Sequence, residues 1–336
     1  MSDNKGTNRR DFLKEVATGA VALGVSASLK DVAFAVPQAK SKVVLVQDAA
    51  LRNGGADPDY KRTLALLDRA MTSFYEVKDP VAPWKKLVSP GQVVGLKVNT
   101  IAGHGVTSNG MVVQAICERL MSVGIKPNDI VIWDRTEKEL ERCGLKKLGA
   151  SLGVRCIGTD EPDYGYEETP VSHGKVTTRF SKILTRTCDV QINVPVLKDH
   201  SGAGVTMAMK NMYGVIKNPG DQHDGGCNPY VADLYMIPAI KEKFKFIVLD
   251  ATTACYDGGP GFKPEYSWAH NAILVATDPV ALDHTGWQII EKKRAEKGLK
   301  PLQDVGRPPR YIATAADDQH RLGTNDPSRI ALVELA

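Results

Sequence analysis

Short apolar runs rich in valine and isoleucine recur along the chain, separated by longer stretches in which apolar positions return every three to four residues. The short runs predict strands over residues 42–47, 93–98, 129–133, 154–157, 190–197, 244–249, 272–276 and 311–314. The longer ones predict helices over 60–75, 111–123, 137–148, 205–216, 231–241 and 279–296. Residues 176–180 suggest a further short strand and 329–333 a closing one. Most strand runs are apolar throughout, as expected of strands covered on both faces. Strand and helix alternate, which predicts an α/β fold with a layered, mainly parallel or mixed sheet flanked by helices. No repeat, low-complexity tract or long linker interrupts residues 36–336, which are read as one domain.

The first 35 residues follow another pattern. Asn8-Arg9-Arg10-Asp11-Phe12-Leu13-Lys14 precedes a mildly apolar stretch over 16–29, and Ala33-Phe34-Ala35 closes the segment. Paired arginines, an apolar run and an A-x-A site are the layout of a cleaved export peptide. The RRDFLK core resembles the twin-arginine signal, with Asn8 where Ser or Thr is usual. Residues 1–35 are therefore expected to engage the twin-arginine translocase and to be removed, placing the protein in the periplasm or another extracytoplasmic space. Lys30 and Asp31 interrupt the apolar run, and no later stretch approaches the ~18 uncharged apolar residues of a membrane helix, so no stable membrane anchor is expected after cleavage. What the twin-arginine resemblance implies is a passenger exported already folded, often with a cofactor loaded.

Charge narrows the partners. Forty-three Lys and Arg against 39 Asp and Glu leave a formal net charge of +4 over 336 residues, and no basic block interleaves with aromatics. Nucleic acid is not an expected partner, whereas a small anionic molecule is. Six dispersed cysteines contain no C-x-x-C, which argues against a ferredoxin-type cluster motif, a c-type haem site and a thioredoxin-like pair. Cys227 and Cys255 fall in loop-like segments rich in Gly, Pro and Asp, where a disulfide between them competes with metal ligation.

In an open parallel sheet, ligands collect beyond the carboxyl ends of the strands. The densest polar cluster of that kind is 195–216, reading PVLKDHSGAGVTMAMKNMYGVI. Lys198, Asp199 and His200 follow an apolar run, and Gly202 and Gly204 permit a tight turn into an expected helix start, where unpaired N–H groups favour an anion. On that helix Thr206 and Lys210 share a face, with Asn211 beside them. The segment lacks G-x-x-x-x-G-K-[ST], so it is not a nucleotide P-loop. Lys97, inside GLKVN, is either an edge-strand lysine reaching water or an anion-binding lysine at a strand mouth. Asp278 before Pro279 reads as a helix cap, and Asp283 as a carboxylate able to orient an imidazole or a lysine.

The candidate catalytic groups are thus Lys198, His200, Lys210, Asp250 and Asp283; the candidate substrate contacts are Lys97, Asn99, Gly202, Gly204, Thr206 and Asn211. His223, Cys227 and Cys255 form the candidate metal set, with polar substrate contacts and ordinary loop hydrogen bonding as competing uses.

Taken together, GLKVN, VPVLKDHSGAGVTMAMKNMYGVI, LDATTACYDGGPG and ATDPVALDHTG resemble the bacterial and archaeal family known as domain of unknown function 362, over nearly all of the chain after the export peptide. Some members carry a ferredoxin-type module or are described as iron–sulfur proteins; this chain departs from them in having no clustered cysteines. Two functional readings follow. In the first, the chain is an exported enzyme acting on a small anionic substrate at a Lys/His/Asp site, with a metal ion as its candidate assistant. In the second, it is a non-catalytic redox or iron–sulfur/metal-associated protein that serves another protein as partner.

Overall fold

Valine and isoleucine at both parities of a strand leave it no polar face, so the strand is stable only where both faces are covered. That is the situation in the computed structural model, which describes residues 40–336. The segment read as a twin-arginine signal lies outside the described residues. In chain order the strands are β1 (Ser41–Gln47), β2 (Val94–Lys97), β3 (Ile130–Asp134), β4 (Arg155–Gly158), the hairpin β5 (Val171–His173) and β6 (Val176–Thr178), β7 (Val190–Asn193), β8 (Val196–His200), β9 (Gly204–Thr206), β10 (Phe244–Cys255), β11 (Ser267–Trp268), β12 (Ala272–Ala276) and β13 (Ile330–Leu335). All but β5 and β6 belong to one mixed sheet whose main order is β13-β1-β12-β10-β7-β2-β3-β4. The run from β10 to β4 is parallel, β12 is antiparallel to both its neighbours, and β13 closes the sheet parallel to β1. The fold is α/β.

Alternate positions of each strand feed two cores. Val44, Val46, Ile130, Ile132 and Val248 face Leu66, Leu67 and Met71 of α1 (Tyr60–Tyr75) and Ile116 and Leu120 of α2 (Gly110–Ser122). Val43, Leu45, Val131, Trp133 and Leu249 enter the other core. Chain order then continues through α3 (Glu137–Arg142), α4 (Leu145–Leu152), α5 (Tyr230–Met236), α6 (Pro279–Glu296) and α7 (Arg310–Ala316). The expected helix over 137–148 is two helices because Gly144 adopts φ 79°. Asp278 caps α6, accepting from Val280 N and Ala281 N at 2.9 Å each, with Pro279 in the first turn.

The expected helix over 231–241 likewise ends at Met236, and a single helical turn, Pro238–Lys241, follows Ile237. Three further expectations are corrected. The apolar run 190–197 is two strands, since Pro195 has no N–H to donate; the chain leaves β7 at Val194 and re-enters the sheet as β8, beside the far end of β10. Residues 205–216 are not a helix. Thr206, Val205 and Gly204 pair back onto Lys198, Asp199 and His200 as β9, and only a 3₁₀ turn, Lys210–Val215, follows. Two physical causes are visible. Gly204 sits at φ 78° with its backbone against Arg307, where a Cβ would stand 2.4 Å from the carbonyl oxygen. The Asp283 carboxylate meanwhile accepts from Ala208 N (2.8 Å) and Met209 N (3.1 Å), taking an N–H that a helix starting at Val205 would use internally. Residues 311–314, expected as a strand, belong to helix α7: Pro309 precedes its first turn, and Tyr311, Ile312 and Ala315 are buried at helical spacing.

Asp283 is fully buried, also accepts from Tyr311 Oη at 3.0 Å, and has its pKa pushed up to about 7 by burial. Replacing it with Ala strands three donors. Asp283→Ala is expected to cost about 3 kcal/mol or more in urea denaturation, and Asp283→Asn, which keeps an acceptor, distinctly less. An alanine variant as stable as the parent would contradict this account of the 204–211 segment.

Candidate functional site

The carboxyl ends of β2 and β3, the β8–β9 hairpin and the Lys210–Val215 turn surround a cavity of about 160 Å³. Its geometry begins with Lys97. Strand β2 lies inside the sheet between β7 and β3, so this lysine is fully buried and not at an edge. Its ammonium spends all three protons inside: on Asp134 Oδ1 (2.8 Å), the Val98 carbonyl (2.7 Å) and Asn211 Oδ1 (3.2 Å). Burial lowers the Lys97 pKa, and the charge of Asp134 opposes that shift. Asp134 is held in turn by Thr100, whose N and Oγ1 donate to Oδ2 at 2.9 and 2.8 Å. A Cβ on Gly214 would stand 2.5 Å from both Asp134 Oδ1 and Lys97 Nζ, so glycine is what allows the turn to close over this ion pair.

An ammonium can only donate, which fixes the amides around it. Asn211 must present Oδ1 to Lys97, and its Nδ2 then donates to Asn193 Oδ1 at 2.7 Å and the Lys97 carbonyl at 3.2 Å. Asn193 Nδ2 continues to the Ala208 carbonyl at 2.8 Å. Lys198, also fully buried, donates to Asn99 Oδ1 (2.8 Å) and the Val106 carbonyl (3.1 Å), so Asn99 Nδ2 donates to Asn211 Oδ1 at 3.0 Å. Two lysines thereby orient three asparagines. Burial pushes the Lys198 pKa down to about 7.

On the opposite wall, His200 Nδ1 accepts from Gly202 N (3.0 Å) and Ala203 N (3.1 Å), which leaves the ring proton on Nε2. Burial, followed by the Lys210 charge, pushes the His200 pKa down to about 3, so the ring is neutral. The His223 ring stacks on it with centroids 5.7 Å apart. His223 Nδ1 lies 2.9 Å from the Pro219 carbonyl and is therefore its donor, so Nε2 accepts from Lys210 Nζ at 3.3 Å. Lys210 is buried, stands 4.3 Å from the Tyr213 ring centroid, and makes no ion pair with a carboxylate among the described residues. Burial lowers its pKa.

The structure therefore brings Lys97, Asn99, His200, Thr206, Lys210, Asn211 and His223 to one cavity, with Lys198 one hydrogen bond behind Asn99. Gly202 and Gly204 shape the β8–β9 hairpin, in place of a helix N-terminus. The two candidate catalytic carboxylates are elsewhere: Asp250 is tied to Asn109 N (2.6 Å) and Thr252 N (2.9 Å), and Asp283 clamps the backbone behind Lys210. Cys227 and Cys255 are buried and unpaired, so no disulfide joins them. Cys227 lies beside Lys210 and Tyr213, while Cys255 donates to the Asp257 carbonyl at 3.0 Å, so the candidate metal set is not assembled. Among the described residues no group of three or more His, Cys, Asp or Glu is placed to hold a metal ion. Asp134, Arg135, Glu139 and Tyr213 line the cavity without having been singled out from the sequence. The rule applied to the other strand ends reaches Asp134 and Arg135, which directly follow Trp133.

Lys198 has a measurable signature. Its pKa in the fold is depressed from 10.5 to about 7, so its contribution to stability is complete above the unfolded value and is lost as pH falls towards 7. Between those limits the parent protein is expected to gain stability with rising pH, and Lys198→Met to lack that gain in urea midpoints. Parallel pH profiles for the two proteins would show that the amine keeps its proton in the fold.

No curated protein matches the chain. Among solved structures, the crystal structure of a Thermotoga maritima protein determined as a structural-genomics target is similar at 10% identity over 62% of this chain, with a TM-score of 0.33; the chain spans about half, 53%, of that protein. The family described as Domain of unknown function (DUF362) matches residues 94–288, more than half of the chain and every residue that lines the cavity. The chain belongs to that family.

Proposed function

We propose that the cavity binds a small anionic molecule bearing a carboxylate, and that the protein is an enzyme which moves a proton on it. The observation that carries this reading is Lys210, a buried ammonium without a carboxylate partner among the described residues, in a wall that also holds the Arg135 guanidinium and one half-buried carboxylate, Glu139. A buried charge is costly unless paired, so the site is complementary to an anion that pairs it. The Nε2–H of His200 and the second Nδ2 proton of Asn99 are the further donors, while Asp134 has its acceptors occupied. A volume of about 160 Å³ suits a small metabolite, below the ~300–1,000 Å³ of sites for drug-sized ligands.

The proton chemistry falls to Lys210 and His223. Burial lowers the Lys210 pKa, which eases release of a proton from its ammonium, and His223 Nε2 at 3.3 Å is the acceptor already engaged by it. Export by the twin-arginine route belongs to the same proposal, resting on RRDFLK and Ala33-Phe34-Ala35, and places the substrate outside the cytoplasm.

A thermal-shift screen of small mono- and dicarboxylates is expected to return ligands that stabilise the parent protein. Lys210→Met and His200→Ala should each weaken the best of them by about tenfold or more, the loss of one charge-assisted hydrogen bond. Unchanged affinity in both variants overturns the reading. So does stoichiometric iron or nickel in protein purified after native export, which would support the metal-associated alternative.

A further inference from the structure

A second cavity, of about 750 Å³, opens on the other side of the loop that joins β2 to α2, and it contributes nothing to the site above. Its volume falls within the ~300–1,000 Å³ of small-molecule sites. Two guanidinium groups reach it. Arg52 is held by neutral acceptors, Asn271 Oδ1 (3.1 Å), the Thr252 carbonyl (3.0 Å), Thr253 Oγ1 (2.7 Å) and the Ala56 carbonyl, and so keeps one proton for a ligand. Arg142 lies against the backbone of Gly103, its Nη2 at 2.9 Å from where a Cβ would stand. Neither arginine forms an ion pair among the described residues, and the one carboxylate on the cavity wall, Asp57, is exposed. The N-terminus of α2 is not the source of positive potential here, because the Asp250 carboxylate already takes the Asn109 N–H.

The same cavity is lined by aromatic rings. Phe262 rests on Gly105, where a Cβ would come within 2.2 Å of the ring, and His104 meets it edge-on with centroids 5.0 Å apart. Trp268 is half-buried on the wall. Rings offer stacking surface to a planar group, and the exposed Arg142 guanidinium, which makes no side-chain hydrogen bond among the described residues, offers paired donors to a carboxylate or phosphate. We infer that this cavity is a binding site for a planar aromatic molecule bearing an anionic group, separate from the small-anion site.

The test uses the full chain and phenyl phosphate as probe, read by tryptophan quenching and titration calorimetry. Saturable binding is expected, weakened about tenfold by Arg142→Ala and about fivefold by Trp268→Leu, and untouched by Lys210→Met. Arg142 is exposed, so its replacement does not put folding at risk. Three results would overturn the inference: no saturable binding, inorganic phosphate binding as tightly as phenyl phosphate, or binding that is lost in Lys210→Met and kept in Arg142→Ala. The last result would place the probe in the first cavity, so failure here is distinguishable from failure of the small-anion reading.

Discussion

The buried pair of Lys97 and Asp134 is the constraint on which the site depends. Removing two charges from water costs several kcal/mol per ion, and that cost is offset only when geometry is good and the remaining donors and acceptors are satisfied. Both conditions hold. Lys97 spends its three protons on a carboxylate, a carbonyl and an amide, and Asp134 is held by Thr100 and by the Arg135 N–H at 2.9 Å. The pair joins β2 to β3 at their carboxyl ends and, through Asn211 and the space left by Gly214, fastens the Lys210–Val215 turn over them. A turn of 3₁₀ geometry has little stability of its own; here it is anchored to charges that cannot move without being stranded.

A second anchor acts from the opposite side of the same segment. Asp283, one turn into α6, fixes the backbone at Ala208 and Met209, so Lys210 and Asn211 are presented between a buried ion pair and a buried carboxylate. This explains why polar residues are so frequent in what the sequence shows as a packing position. Most of them bind one another. The exceptions include Lys210, His200, the Thr206 hydroxyl and one proton of Asn99, and all four residues line the cavity. Positioning groups and ligand-facing groups have the same residue types, and only their partners distinguish them.

Much of the fold was legible because burial on both faces leaves an unmistakable pattern. Helix 60–75 and strand 272–276 have the limits that apolar periodicity predicts, and Asp278 caps α6 as its place before Pro279 requires. Of the residues lining the cavity, the strand-end rule picked out Asn99 and His200, since β2 and β8 do end at one rim, whereas Lys210 and Asn211 were singled out on an expected helix that does not form. Asp250, picked by the same rule, and Asp283, read from its place in a helix start, lie away from the cavity, because such positions equally suit a carboxylate that satisfies backbone N–H groups.

What the sequence determined by itself was therefore the local inventory: which runs are covered on both faces, which residues cap, and that lysine, histidine and amide side chains gather after strands. Only the tertiary structure decided what each of these groups is paired with. The 204–211 segment has a helical pattern of residues but pairs back onto β8, because Arg307 and Asp283, more than 70 positions away in the chain, occupy its backbone. Lys97, Lys198 and Lys210 are chemically alike in the sequence, yet one is neutralised by Asp134, one sits among carbonyl acceptors and one meets a neutral imidazole. Pairing of this kind is set by long-range geometry, and the cost of leaving a buried charge without a partner turns that geometry into a candidate function.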